Sequence, residues 1–255
     1  SKNFVSILTN YKLKKKKKII LLLVCIPFIG NAQLKNVIKK AATKATTKTA
    51  AVSTLEIANG LKEALDNGVK KQVTKLTAVD GFYKNELVKI LLPEELQKVD
   101  KRLRQIGLGS LADEGILTLN RAAEDAVKQS TPIFIDAIKN MSFTDAKNIL
   151  LGNQNAATTY LQTSTNKALY DKFNPVIKTS LANVGADAVW TKIIDKYNSI
   201  PLVTKVNPDL TDYTTNKALE GVFKMITVEE KNIRSGLDSR TSALLKKVFA
   251  LQDKK

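Results

Sequence analysis

From Ser53 almost to the end of the chain, apolar residues recur every three or four positions. Leu55, Ala58, Leu61, Leu65, Val69 and Val73 share one face at helical spacing, behind the capping box Ser53-x-x-Glu56. Asp80-Gly81 ends that unit with a turn. Pro93 opens a second helix carrying Leu96, Val99, Leu103 and Ile106, and Gly107 closes it. Residues 111–129 follow with a small-residue seam of Ala122, Ala123 and Ala126. Thr131-Pro132 starts another helix, and Ser142-x-x-Asp145 caps a short one ending at Gly152. Further helices are expected over 155–173, 175–184, 186–198, 211–226, 228–235 and 239–250, with Pro201 and Pro208 bracketing a linker. No long alternating pattern competes with this one. The segments 87–93 and 200–206 have the composition of short strands and could pair as a ribbon. The fold class is therefore all-α: a single domain of about ten helices over 55–252, with room for one small two-stranded β ribbon. Apolar residues at 44% of the chain are enough to fill its core.

The N-terminal region reads differently. "KLKKKKKIILLLVCIPFIGNAQ" places a lysine cluster before an apolar run from Ile19 to Ile29 and then Gly30-Asn31-Ala32. That order is a secretory signal, with cleavage expected after Ala32 and residues before about Tyr11 reading as an over-long start. The run has 11 residues, well short of the ~20 a spanning helix needs, so the mature chain is expected to have no transmembrane span. Cys25 lies inside the apolar run, behind Val24, where a lipoprotein signal wants a small residue. Residues 33–54 form a Lys-, Ala- and Thr-rich basic linker. It reads either as solvated and unstructured or as a weak basic amphipathic helix.

This division locates the charge. The formal net charge is +17, and the signal and linker carry twelve lysines and no acid before Thr54. The helical part is left mildly basic. Nucleic acid is thus a poor partner, because the basic residues sit outside the domain and export removes the chain from it. Anionic envelope polymer, a lipid surface or another envelope protein are the candidate partners. Cleavage also removes the lone cysteine, and the chain has no histidine. Disulfides, thiol nucleophiles, Ser-His-Asp chemistry and the usual zinc and haem ligand sets are excluded from the mature protein. The 11 glycines form no phosphate loop. No cofactor and no metal site is expected.

Several segments carry a resemblance. "LPEELQKVDKRLRQIGLGSLADE", "LNRAAEDAV", "TPIFIDAIKNMSFTDAKNILLGNQNAATTYLQ", "FNPVIKTSLANVGA" and "DLTDYTTNKALEGVF" occur in order. Together they resemble the bacterial envelope family catalogued as domain of unknown function 4197, over roughly Leu61 to Phe249. The resemblance implies a secreted, mostly helical protein of Gram-negative bacteria and transfers no catalytic residue.

The candidate site residues come from the polar groups. Adjacent acids at Glu94-Glu95 and Glu229-Glu230 follow helix starts and read as capping and dipole residues, with Thr227-x-x-Glu230 as a capping box. Asn120, Arg121, Glu124 and Asp125 form a denser patch beside the alanine seam. Arg121 and Asp125 are spaced for an ion pair. On a helical wheel, Tyr213, Lys217, Glu220 and Lys224 form a polar stripe opposite Ala218, Leu219, Val222, Phe223, Met225 and Ile226. Glu220 and Lys224 are spaced for an ion pair, and Arg234 extends the stripe. Such a stripe has a use only where it faces a cleft. Asn120, Arg121, Tyr213, Lys217 and Arg234 are the candidate binding residues.

Three functions fit. The first is a non-catalytic envelope module that binds a partner or ligand, and the absence of a catalytic motif favours it. The second is a cell-wall glycan hydrolase working through carboxylates, with Glu124 the first choice and Glu220 the second. The third is a carrier of an apolar, lipid-like ligand, which requires a core cavity of a few hundred Å³.

Overall fold

A computed structural model describes residues 52–253, apart from 93–96, 106, 108, 189, 190, 192–194, 196, 197, 200, 203, 206 and 208. The chain divides into two units, Ser1–Ala50 and Ala51–Lys255, and the description concerns the second. The expected signal and most of the expected linker, the Glu94-Glu95 pair, the expected helix start at Pro93 and much of the expected 186–198 helix lie outside the described residues.

Eight α-helices are found among the described residues: α1 (Thr54–Thr77), α2 (Gln97–Gln105), α3 (Gly109–Val127), α4 (Ser130–Asn140), α5 (Phe143–Leu151), α6 (Ala156–Asn183), α7 (Leu210–Ser235) and α8 (Ala243–Phe249). A 3-10 turn, Leu237–Ser239, joins the last two. Both capping boxes at the starts of α1 and α5 form as their sequences require.

Two expected helix breaks do not occur. Pro175 lies inside α6, which runs on to Asn183. An internal proline removes one donor and costs about 3 kcal/mol. Here Phe173 and Ile177, on either side of it, are both fully buried, and their packing keeps the helix whole. Thr227 likewise does not restart a helix within α7. Its hydroxyl donates to Phe223 O, and Glu230 turns inward to other partners.

No strand is found among the described residues, and the expected ribbon of 87–93 with 200–206 is not seen there; residues 93, 200, 203 and 206 lie outside them. The 87–92 segment does alternate, with Val88 and Ile90 buried and Leu87 and Leu91 outward. Its inner backbone groups pair with a helix side chain instead of a second strand.

Among the described residues, one hydrophobic core takes side chains from α1 and from α3 to α8. Helix α7 lies centrally, against α1, α3 and α6. Phe134 and Phe223 meet edge to face, with ring centroids 6.0 Å apart. Of the wheel positions on α7, Ala218, Leu219, Val222, Phe223, Met225 and Ile226 are all buried, as their spacing predicts.

The two ends of the domain meet where Lys247 on α8 donates to Glu56 at 2.6 Å. That bond, with the Ser53 backbone N–H, holds the Glu56 carboxyl down to about 2. A carboxyl depressed in the folded state contributes stability fully above its unfolded value, near 4.5. The contribution is lost as pH falls through about 2. Lys247→Met should raise the Glu56 titration midpoint towards the ordinary value in side-chain carbonyl NMR. An unchanged midpoint would show that Ser53 alone sets it.

Candidate functional site

Asp80, directly before Gly81, adopts a left-handed backbone with φ 67°. The chain turns there and descends as the 82–92 segment between α3 and α7. Phe82 is fully buried and lies against Gly221 on α7. A Cβ at 221 would come within 2.7 Å of the Phe82 ring, so the segment's close approach to the helix depends on that glycine.

Helix α3 holds this segment from behind. Glu124 Oε1 accepts the Phe82 N–H at 3.0 Å and the Tyr83 N–H at 3.4 Å. Its Oε2 accepts Arg121 Nη1 at 2.6 Å, and Arg121 Nη2 donates to Asp80 Oδ1 at 2.5 Å. One turn earlier, the buried Asn120 bonds Ile90 twice. Its Oδ1 accepts the Ile90 N–H at 2.8 Å and its Nδ2 donates to Ile90 O at 2.9 Å. The side-chain amide thus does for Ile90 what a neighbouring strand would do. Lys84 and then Arg121 hold the Asp80 carboxyl below its usual range. Glu124, then Asp80, raise the Arg121 guanidinium. The expected Arg121–Asp125 pair is not formed. Arg121 faces inward to Glu124 and Asp80, and Asp125 pairs with Lys128.

The front of the segment and α7 enclose an open cleft of about 520 Å³. The polar stripe lines it: Tyr213, Lys217, Glu220 and Lys224 stand opposite the backbone and side chains of residues 87–92. Tyr213 Oη donates to Leu91 O at 2.7 Å and closes one end. Lys217 pairs with Glu220 at 2.7 Å, so the expected Glu220–Lys224 pair is replaced by the alternative one turn back. Lys224 has no partner among the described residues. Lys89 crosses the Tyr83 ring at 4.6 Å. Leu87 and Leu91 remain 49% exposed at the rim.

The two groups of residues singled out in the sequence are therefore two sides of one structure. Asn120, Arg121 and Glu124 anchor the 80–92 segment; Tyr213, Lys217 and Glu220 face the cleft it forms. Arg234 is not part of it. It is 3% exposed and donates to Glu230, to Ile149 O and Leu150 O at the end of α5, and to Gln252.

Glu229 and Glu230 belong to the interior as well, instead of capping a helix start. Glu230 accepts the Ala157 and Thr158 N–H groups in the first turn of α6. Glu229 accepts from Lys71 and Gln72 on α1. Their positions on the inner face of a continuous α7 were legible only to a reading that did not break the helix at Thr227. The pocket between the buried side chains of α1 and α7 is about 20 Å³, too small for an acyl chain. Among the described residues no group of three or more acids could hold a metal ion, and no helix is long and apolar enough to cross a membrane.

The fold and cleft define an all-α module whose polar surface groove is built from one helix and one anchored loop. A family model described as a protein of unknown function, DUF4197, matches residues 51–250. The chain belongs to that family. No curated protein and no solved structure matches it.

Proposed function

We propose that the protein is an exported envelope component that acts as a non-catalytic binding module, taking an anionic amphiphile into the α7 cleft. The observation that carries this reading is the make-up of the cleft. Lys89, Lys217 and Lys224 face a single carboxylate, Glu220, among the described lining residues. Leu87 and Leu91 offer apolar surface at the same opening. A phosphate or carboxylate head set against Lys217 and Lys224, with its tail over the leucines, uses both features. Export rests on the lysine cluster, apolar run and Gly30-Asn31-Ala32 at the N-terminus.

Hydrolysis of a glycan is less well supported. That chemistry needs two carboxyl groups ~5–10 Å apart across one bond. Glu220 faces the cleft, whereas Glu124 is 4% exposed, with both oxygens already accepting bonds.

Titration with lauryl phosphate, lauryl maltoside and inorganic phosphate tests the reading. Lauryl phosphate should bind, shifting the amide resonances of residues 87–92. The uncharged detergent should bind far more weakly. Lys217→Ala with Lys224→Ala should lower affinity about tenfold, because hydrogen bonds to charged groups contribute about 1.5–3 kcal/mol each and screening takes part of that. Equal binding of the two detergents, or an unaffected double variant, would discard the proposal.

A further inference from the structure

One wall of the α7 cleft is polypeptide backbone. Asn120 on α3 takes both polar groups of Ile90, the N–H at 2.8 Å and the C=O at 2.9 Å. The peptide bonds on either side of Ile90 are trans, and across a trans bond the C=O and the N–H point in opposite directions. The Ile90 N–H points to α3, so the Lys89 C=O is turned away from it. The Ile90 C=O also points to α3, so the Leu91 N–H is turned away too. The far side is that of α7. Leu91 O receives the Tyr213 hydroxyl there, and Lys89 and Leu91 both line the cleft.

Among the described residues, neither of these two groups has a partner. Their neighbours do. The N–H groups of Leu87, Val88 and Lys89 bond to Asn85, and that of Ile90 bonds to Asn120. Leu91 is also 49% exposed at the rim. Lys89 O and the Leu91 N–H are thus a short open strand edge, one acceptor and one donor flanking Ile90, with Asn120 closing the opposite edge.

Such an edge is completed by a group with an N–H for the acceptor and a carbonyl or carboxylate oxygen for the donor, as one residue of an added strand has. A phosphate monoester brings no N–H. An N-acylated amino acid brings both. Its amide donates to Lys89 O, and one carboxylate oxygen accepts from the Leu91 N–H. The other oxygen is left for the lysines of the facing wall, and the acyl chain for Leu87 and Leu91. Given the binding function proposed above, on which this rests, we infer that the cleft's amphiphile is an N-acyl amino acid recognised through Lys89 O and the Leu91 N–H.

The test leaves the full chain unchanged and varies the ligand. N-lauroylglycine, its ester counterpart O-lauroylglycolate and lauryl phosphate are titrated below their critical micelle concentrations and followed by NMR. The amide should bind about tenfold more tightly than the ester, which loses the hydrogen bond and sets an oxygen against Lys89 O. In the N-lauroylglycine complex the Leu91 amide proton should move downfield and exchange more slowly with solvent. Equal affinity of amide and ester, or an unmoved Leu91 amide, would overturn the N-acyl amino acid while lauryl phosphate binding kept the anionic-amphiphile reading. Binding of none of the three would overturn both.

Discussion

Glu230→Ala is expected to lower the free energy of unfolding by about 3–5 kcal/mol, the range for breaking a buried ion pair by removing one partner. Glu230 and Arg234 sit one turn apart on α7, 2.8 Å from each other at closest approach, with side chains 5% and 1% exposed. Each also serves a different helix end. The carboxylate accepts two N–H groups from the first turn of α6 and the Thr158 hydroxyl. The guanidinium donates to the last carbonyls of α5. An anion thus stands at a helix N-terminus and a cation at a C-terminus, where the backbone dipoles favour them. The alanine variant leaves Arg234 charged and buried, and it frees the N-terminal donors of α6. Asn155, the residue preceding that helix, supplies no side-chain cap of its own.

Chemical denaturation of Glu230→Ala, Arg234→Met and the double variant should give a positive coupling. The double should be less destabilised than the sum of the singles, since neither then leaves an isolated charge. A loss below about 1 kcal/mol for Glu230→Ala would place this pair with weak surface bridges and refute its interior role.

The second large effect is expected at Asn120. Asn120→Leu fits the buried volume but strands the N–H and C=O of Ile90, for a combined cost of about 2–4 kcal/mol. The damage should be local. Ile90 loses both its partners on α3, while Phe82 and Tyr83 keep Glu124. Amide exchange should therefore accelerate across residues 87–92, with helical circular dichroism unchanged, and lauryl phosphate binding should fall with it. Tyr213→Phe is the lighter companion. It removes one bond, to Leu91 O, and should cost about 0.5–1.5 kcal/mol. Should exchange in 87–92 stay slow in Asn120→Leu, the segment would be held by its apolar residues, and the cleft wall would not depend on the amide.

The pattern of what could be read in the sequence follows from range. The start of α1, the start of α5 and the buried face of α7 were all legible, because caps and helical periodicity depend on residues three or four apart. Where that same local logic met a strong competing signal, it misled. Pro175 and Thr227 look like helix boundaries, yet burial on either side carries both helices through. The strand-like 87–92 alternation was real, but a strand is defined by its partner, and the partner is Asn120.

The candidate site shows the same limit. The stripe of Tyr213, Lys217, Glu220 and Lys224 follows from α7 alone. That it faces a cleft does not, since the opposite wall lies more than 120 residues earlier, as the Tyr213–Leu91 bond records. Nor could sequence choose among the carboxylates. Glu124, Glu220 and Glu230 all sit on amphipathic helices. One anchors a loop 42 residues away, one stands in a solvent-facing groove, and one caps a helix 73 residues away. By itself the sequence determined the all-α class and most of the core faces, because hydrophobic period and capping are properties of neighbouring residues. The tertiary structure alone decided which polar groups became structural and which were left facing a cavity, because a charge is buried or solvated only by what distant segments bring against it.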